Sequence, residues 1–254
     1  MKERDPVVSL GMMLREAQAA VCLTGAGIST HSGIPDFRSP QSGMWSQTNP
    51  MEVASLFGFR QNPRAFYDWV YPLARLMLDA EPNAAHRVIA ALEQNGHLHA
   101  TITQNIDMLH QRAGSQVVYE LHGHFREATC VHCFTVFPGI PLLEQFVTSH
   151  EIPRCPHCRG VIKPNVILFG EQLPLQTLRA AQDAARRTDL MIVVGSSLEV
   201  APASDLPVLA RRHGAKLVLI NLDATEFDRE ADLVIHEDAA LVLPELMRYL
   251  EADA

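Results

Sequence analysis

The stretch Ala20-Val-Cys-Leu-Thr24 followed by Gly25-Ala-Gly-Ile-Ser-Thr30 decides how the rest of the chain is read. A short apolar run that stops at two closely spaced glycines is a strand entering a glycine turn. Without a Cβ at Gly25 or Gly27, backbone amides can approach a phosphate, and the residues after the turn can supply a helix amino terminus. The third glycine of the dinucleotide fingerprint is missing, Thr30 standing in its place, and no acidic residue with an obvious ribose role follows about twenty positions on. Alone, the motif fits a nucleotide site and a plain tight turn equally, so its surroundings have to decide.

Working outward, Asp5, Pro6 and the spacing of Val7, Leu10, Met13 and Leu14 predict a helix ending near Ala20. Residues 32 to 50 are rich in Ser, Gly and Pro and predict a long irregular loop, the kind that carries function. Helices are expected from Asn62-Pro63 to about Asp79 and from Asn83 to Asn95. Strands are expected at His99–Thr103 and Val117–Leu121, with a short helix Met108–Ala113 between them. After residue 164 the alternation resumes, with strands at Val166–Phe169, Leu190–Val194, Lys216–Ile220 and Leu233–Ile235. Helices are expected at Leu175–Arg187, at Ala203–Arg212 and from about Ala239. Alternation of this kind implies a parallel α/β sheet. Residues 125–164 interrupt it with several prolines, no clear long element, and Cys130-x-x-Cys133 and Cys155-x-x-Cys158, separated by 21 residues. Four thiols at that spacing suit a closed, tetrahedral structural zinc ribbon, with His132 and His157 set aside as ligands.

The composition narrows the class. The 254 residues are 47% hydrophobic and 20% charged, which excludes disorder and coiled coil. A net charge of −8 gives no electrostatic drive toward nucleic acid or an anionic membrane. The first twenty residues mix charges of both signs, and the longest apolar runs are strand-length, so a cytoplasmic chain without signal peptide or membrane span is expected. Paired cysteines in a reducing compartment read as metal ligands, and Cys22 as a buried apolar filler.

The remaining chemistry collects at the carboxyl ends of the predicted strands, where open parallel sheets bind ligands. Gly33-Ile-Pro-Asp-Phe-Arg38 offers Arg38 as a clamp for a diphosphate, and Phe37 either as a loop anchor or as a cover for a bound ring. Thr103-Gln-Asn-Ile-Asp107 groups two amides and a carboxylate, and Asp107 suits both ligand recognition and the cap of the following helix. His122 in Leu121-His-Gly-His124 puts an imidazole at the same edge as a candidate general base, with His124 its neighbouring competitor. Gly195-Ser-Ser197 and Asn221-Leu-Asp223 complete the outline of a dinucleotide groove.

Taken in order, these segments, together with Phe169-Gly-Glu171, resemble the sirtuins, the NAD-dependent protein deacylases, over residues 20 to about 240. The likeness is to their short, deacetylase-like members. The resemblance implies a Rossmann-like NAD-binding domain (1–38, 97–124 and 165–254) and a smaller inserted domain of helical module plus zinc ribbon (39–96 and 125–164). It assigns His122 as general base, places Asn105 and Asp107 at the nicotinamide ribose and carboxamide, Phe37 over the leaving nicotinamide and Arg38 at the diphosphate. Gly195, Ser196, Asn221 and Leu222 hold the adenosine half, and Gly25, Ala26, Gly27, Thr30, Asp36, Gln104, Ile106, Ser197 and Asp223 complete the NAD site. Val166 to Gly170, with Glu199 and Val200, pair with the substrate backbone, and Ile167, Phe169 and Val200 line the lysine tunnel, a mode that reads backbone more than side chains. Cys130, Cys133, Cys155 and Cys158 carry Zn2+.

The implied reaction is attack of an acyl oxygen on the ribose C1′ as nicotinamide leaves, with His122 taking a proton from a ribose hydroxyl, to give free lysine and O-acyl-ADP-ribose. Acetylated-lysine proteins are the implied substrates. The Tyr-x-x-Arg pair of sirtuins that prefer acidic acyl groups is absent: Tyr67 is followed at that spacing by Val70 and Tyr71 by Ala74, with Arg75 one further on. Two neighbouring readings share the motifs, an NAD-dependent protein mono-ADP-ribosyltransferase and a deacylase preferring longer acyl groups. A zinc-ribbon binding module without turnover and a dehydrogenase fit less of the set.

Overall fold

The computed structural model describes residues 5–36 and 49–252. In chain order the elements are α1 (Pro6–Glu16), β1 (Val21–Thr24), a 3-10 helix (Ala26–Ser32), α2 (Pro50–Val53), α3 (Leu56–Gln61), α4 (Pro63–Asp79) and α5 (Ala84–Gln94). Then come β2 (Ala100–Thr103), α6 (Leu109–Ala113), β3 (Val118–Glu120), β4 (Gly123–Cys130), β5 (Val136–Pro138), α7 (Gly139–Ser149) and β6 (Ile162–Val166). The chain closes with α8 (Leu175–Arg187), β7 (Leu190–Val194), α9 (Asp205–Arg212), β8 (Lys216–Ile220), a 3-10 turn (Glu226–Arg229), β9 (Leu233–Ile235) and α10 (Ala239–Ala252).

Among the described residues the main sheet runs in the order β3-β2-β1-β7-β8-β9, every neighbouring pair parallel. The chain builds outward from β1 in one direction and from β7 in the other, so the order reverses between β1 and β7. That switch point is where an α/β sheet opens a crevice at its strand carboxyl ends. Helix-covered parallel strands are apolar on both faces, and β7 shows how. Leu190, Ile192 and Val194 join the core under α1, α5 and α10, while Met191 and Val193 join the core under α8 and α9. Cys22 lies in the first of these cores and burial pushes its thiol up, as its reading as a filler requires.

Local signals set most element ends. Asp5 Oδ1 accepts the Val7 N–H at 2.8 Å with Pro6 in the first turn, and Asn83 Oδ1 accepts the Ala85 N–H at 2.9 Å. The first helix stops at Glu16, short of the expected Ala20, because Ala17 turns extended.

Residues 125–164 are more structured than their sequence suggests. They hold α7 and the antiparallel sheet β5-β4-β6. The strand expected at Val166–Phe169 is β6, four residues earlier, and it pairs with β4 rather than joining the parallel sheet. Helices α2 and α3 lie in the region expected to be irregular or unassigned; α2 buries no residue, while α3 and α4 build a third core of interlocking aromatics. Phe66 and Tyr67 meet edge to face at 5.3 Å, and Tyr67 and Phe146 of α7 at 4.8 Å. The ribbon tip has a small core of its own, centred on Ala128, Cys130, Cys155 and Ile162.

Candidate functional site

A cavity of about 920 Å³ opens where the main sheet, the aromatic core of α4 and the turn after β6 face one another. Its floor is the switch point. Gly25 follows β1 and Gly195 follows β7, and the two turns are packed so closely that a Cβ on Gly25 would lie 2.7 Å from the Gly195 carbonyl oxygen. The Gly25 N–H donates to the Val194 carbonyl (3.1 Å) and the Gly27 N–H to the Gly195 carbonyl (2.9 Å). These glycines also do a job the sequence does not suggest: their amides bind the end of β7 and the turn after it, and the missing Cβ atoms let two strand ends meet. The helix that follows is 3-10 (Ala26–Ser32), with the Thr30 hydroxyl donating to the Gly27 carbonyl at 3.0 Å.

Gln104, one residue beyond β2, ties the site together. Its N–H donates to the Thr24 carbonyl (3.0 Å), its amide Nε2 to Ser196 Oγ (2.8 Å), and its carbonyl lies 2.9 Å from His122 Nδ1. A carbonyl only accepts, so His122 carries its proton on Nδ1 and keeps Nε2 as an acceptor. The His122 carbonyl accepts the Ile167 N–H at 2.8 Å, which fastens the histidine to the turn after β6. His124 does not line the cavity, its Nδ1 is buried without a partner, and burial, helped by Arg126, lowers its affinity for a proton.

Asn105 lines the cavity and Asp107 lies behind it, 4% exposed. Asp107 takes the capping position and does not itself line the cavity. Oδ1 caps α6 by accepting the Leu109 N–H at 3.0 Å, and Oδ2 accepts the Ser29 hydroxyl at 2.6 Å. Burial raises its carboxyl pKa, opposed by those two hydrogen bonds.

Most of the remaining sequence-derived site residues reach the same cavity: Ala26, Asp36, Ile106, Ser197, Asn221, Leu222 and Asp223 on the sheet side, and Val166, Ile167, Phe169, Gly170, Glu199 and Val200 on the other. Phe37 and Arg38 lie outside the described residues. After β6 the chain is fastened to its neighbours by backbone hydrogen bonds. Phe169 exchanges backbone hydrogen bonds with Ala54 and Leu56 at 2.9 Å each, and the Leu168 N–H donates to Glu171 Oε2 at 2.8 Å.

Sequence reasoning missed one wall. Phe66, Trp69, Val70 and Leu73 of α4, with Phe125, form an apolar side of the cavity. Their helical spacing is ordinary core periodicity and carries no ligand signal. The Tyr67 hydroxyl is committed to the Ile162 carbonyl at 2.5 Å, and Val70 faces the cavity where the absent arginine would stand. Arg75 is exposed and off the cavity wall.

The cysteine cluster sits apart from the cavity. Its four sulfurs lie within 4.8 Å of one another, with Cys130 Sγ 3.4 Å from Cys158 Sγ and Cys133 Sγ 3.6 Å from Cys155 Sγ. Four ligands at about 2.3 Å from a tetrahedral ion stand about 3.8 Å apart, so the donor set fits a metal ion and leaves no open position. Gly160 is required beside it, since a Cβ there would come within 2.9 Å of Cys130 Sγ.

Comparison with known proteins gives the same picture. The chain is 45% identical to the NAD-dependent protein deacylase 2 of Archaeoglobus fulgidus, over 96% of this chain and 95% of that one. It is 46% identical to the NAD-dependent protein deacetylase of Thermotoga maritima, over 89% and 91%. A solved complex of Sir2 with a p53 peptide and NAD+ superposes with a TM-score of 0.85 at 43% identity, over 94% of this chain and 96% of that one. The Sir2 family model matches residues 25–202, from the first glycine after β1 to the turn before α9, and with the fold, the cavity and the cysteine cluster in agreement the chain belongs to the Sir2 family.

Proposed function

We propose that the chain is an NAD-dependent protein lysine deacetylase, converting an acetyl-lysine protein, NAD and one water, admitted late, to free lysine, nicotinamide and O-acetyl-ADP-ribose. One observation carries the reading. His122, tautomer set by the Gln104 carbonyl, stands in a cavity that has a sheet switch point on one side and exposed backbone at Gly170 on the other.

The residues present suit NAD. Gly195, Ser196, Ser197, Asn221, Leu222 and Asp223 offer backbone and small polar groups to an adenosine, while Gly25, Ala26, Gly27, Thr30 and Asp36 flank the diphosphate with Arg38 as its cation, and Phe37 covers the leaving nicotinamide. Gln104, Asn105, Ile106 and Asp107 serve the nicotinamide end. Bound NAD supplies a ribose carbon that takes the acyl oxygen as nicotinamide departs. His122 Nε2 accepts the proton of a ribose hydroxyl, and Gln104 steadies the imidazolium that results through Nδ1–H. The apolar wall and Ile167, Phe169 and Val200 exclude water from the acyl group. The substrate backbone adds between Val166–Gly170 and Glu199-Val200, so selectivity for flanking side chains is weak.

Zn2+ in the four-cysteine site folds the ribbon tip and takes no part in the reaction. The NAD-binding and small domains divide as the resemblance implies, at 38/39, 96/97, 124/125 and 164/165. Action in the cytoplasm follows from four thiols that must stay reduced to bind metal. Among the described residues no helix is long and apolar enough to cross a membrane. The partners are proteins rather than nucleic acid, in keeping with the net charge of −8. The α4 wall also favours a second reading, acceptance of longer apolar acyl groups, and disfavours acidic ones.

The test is mass spectrometry of acetyl-, longer acyl- and succinyl-lysine peptides with and without NAD. Loss of acetyl only with NAD, matched by nicotinamide and O-acetyl-ADP-ribose, supports the reading. A gain of ADP-ribose mass on protein with no acetyl loss replaces it with the transferase.

A further inference from the structure

Behind Asn105 lie two histidines with no place in the reaction above. His86 of α5 and His110 of α6 are 0% and 1% exposed, and their rings meet edge to face at 5.0 Å. Each starts a hydrogen-bond chain. His86 Nε2 contacts Ser29 Oγ at 3.4 Å. Ser29 in turn accepts Asn105 Nδ2 at 3.1 Å and donates to Asp107 Oδ2 at 2.6 Å. His110 Nε2 lies 2.9 Å from Thr24 Oγ1, which donates to Thr103 Oγ1 at 2.8 Å, and Thr103 Oγ1 accepts the Asn105 N–H at 3.1 Å. The two chains start on different helices and end on the side chain and the backbone of one residue.

The donors fix the tautomers. Ser29 and Thr24 each have a single proton, already given to Asp107 and Thr103, so both imidazoles must donate from Nε2. Both Nδ1 atoms are then bare, and both are buried without a hydrogen-bond partner. A second proton on either ring would be an unpaired buried donor and a buried charge, and burial holds the two rings neutral, at about 4 for His86 and about 3 for His110.

We propose that His86 and His110 are positioning residues that, through Ser29 and through Thr24 and Thr103, hold Asn105 and Asp107 in the geometry that receives the nicotinamide end of NAD. The inference rests on the NAD-site reading above. A histidine pair kept only to fill space would not need two polar chains converging on one site residue, since leucines would fill the same volume without buried nitrogens.

The experiment compares His86→Leu and His110→Leu, which remove the Nε2 donors, with His86→Gln and His110→Gln, whose amide nitrogen falls near Nε2. Thr24→Val breaks one chain with both rings in place and serves where a leucine variant fails to fold. NAD affinity is read by calorimetry, KM for NAD and for peptide by kinetics, and fold by Tm. The expected result is an NAD Kd and KM raised about tenfold by the leucine and valine variants, with peptide KM within about twofold and the glutamine variants largely restored. A lowered Tm with unchanged NAD Kd and KM would make the pair structural only and overturn the proposal. Wild-type protein that binds NAD without deacetylating would defeat the deacetylase reading and leave the Kd comparison to decide this one. Wild-type protein that does not bind NAD would overturn both.

Discussion

The main sheet and the ribbon tip solve the same problem by different means. Each strand of the sheet's centre buries side chains on both faces, so Ile192 and Met191, adjacent in sequence, belong to separate cores. The tip buries Ala128, Ile162 and two of its own cysteines, while Val131, Phe134 and Val136 stand exposed. A segment with that little core cannot offset the entropy of ordering its backbone, and a metal has to do so. The cavity lies where these regimes meet: β6 brings the ribbon's end to the sheet, and the Ile167–His122 hydrogen bond joins them.

The strongest way to break the contrast is to take the metal away. Chelation, or Cys155→Ala, is expected to unfold the two cysteine loops, residues 130–135 and 153–161, while the parallel sheet keeps its circular dichroism, because zinc binding stabilises such sites by on the order of 10 kcal/mol. Hydrogen exchange resolved along the chain would show it, and simultaneous loss of both regions would contradict it.

Next in size is the junction. His122→Ala is expected to lower kcat/KM about 10²- to 10⁴-fold with Tm unchanged, since a positioned base contributes that much and its loss opens no core. Near-wild-type deacetylation would remove His122 from the chemistry.

Within the sheet, Ile192→Ala is expected to cost about 2–5 kcal/mol by leaving a cavity between packed faces. The matching change at the tip, Phe134→Ala at a side chain 74% exposed, should stay within about 0.5 kcal/mol. Denaturant titration of the two variants sharpens the contrast directly.

Titration acts on the sheet side alone. The folded values of His86 and His110, about 4 and about 3, lie below their usual 6.5. As pH falls below about 6.5 the unfolded chain takes up protons that the folded chain refuses, so stability is full above that pH and declines toward pH 4. Tm measured from pH 7 to pH 5 should fall, and fall less steeply in His110→Gln.

The sequence carried the sheet well, for a physical reason. A strand buried on both faces must be an apolar run, so Leu190–Val194 and Lys216–Ile220 are found at their expected bounds. The ribbon was legible as chemistry but not as structure. Cys-x-x-Cys spacing announces a metal, yet α7 and the sheet β5-β4-β6 rest on tertiary pairing that no local pattern encodes. In the site, polar groups at strand ends identified themselves, as Gln104, Asn105 and His122 did. The α4 wall did not, because Phe66, Val70 and Leu73 follow ordinary core spacing. Nor did His86, whose neighbours Ala85 and Ile89 present a common helical core face. The twin glycines were found for an incomplete reason: they are small so that two loops can touch.

The most direct test is the mass balance of one acetyl-lysine peptide incubated with wild-type protein and with His122→Ala, with and without NAD. The expected result is equal amounts of deacetylated peptide, nicotinamide and O-acetyl-ADP-ribose from the wild type, only with NAD, and almost none from the variant. Acetyl loss without NAD, or undiminished product from the variant, would contradict it.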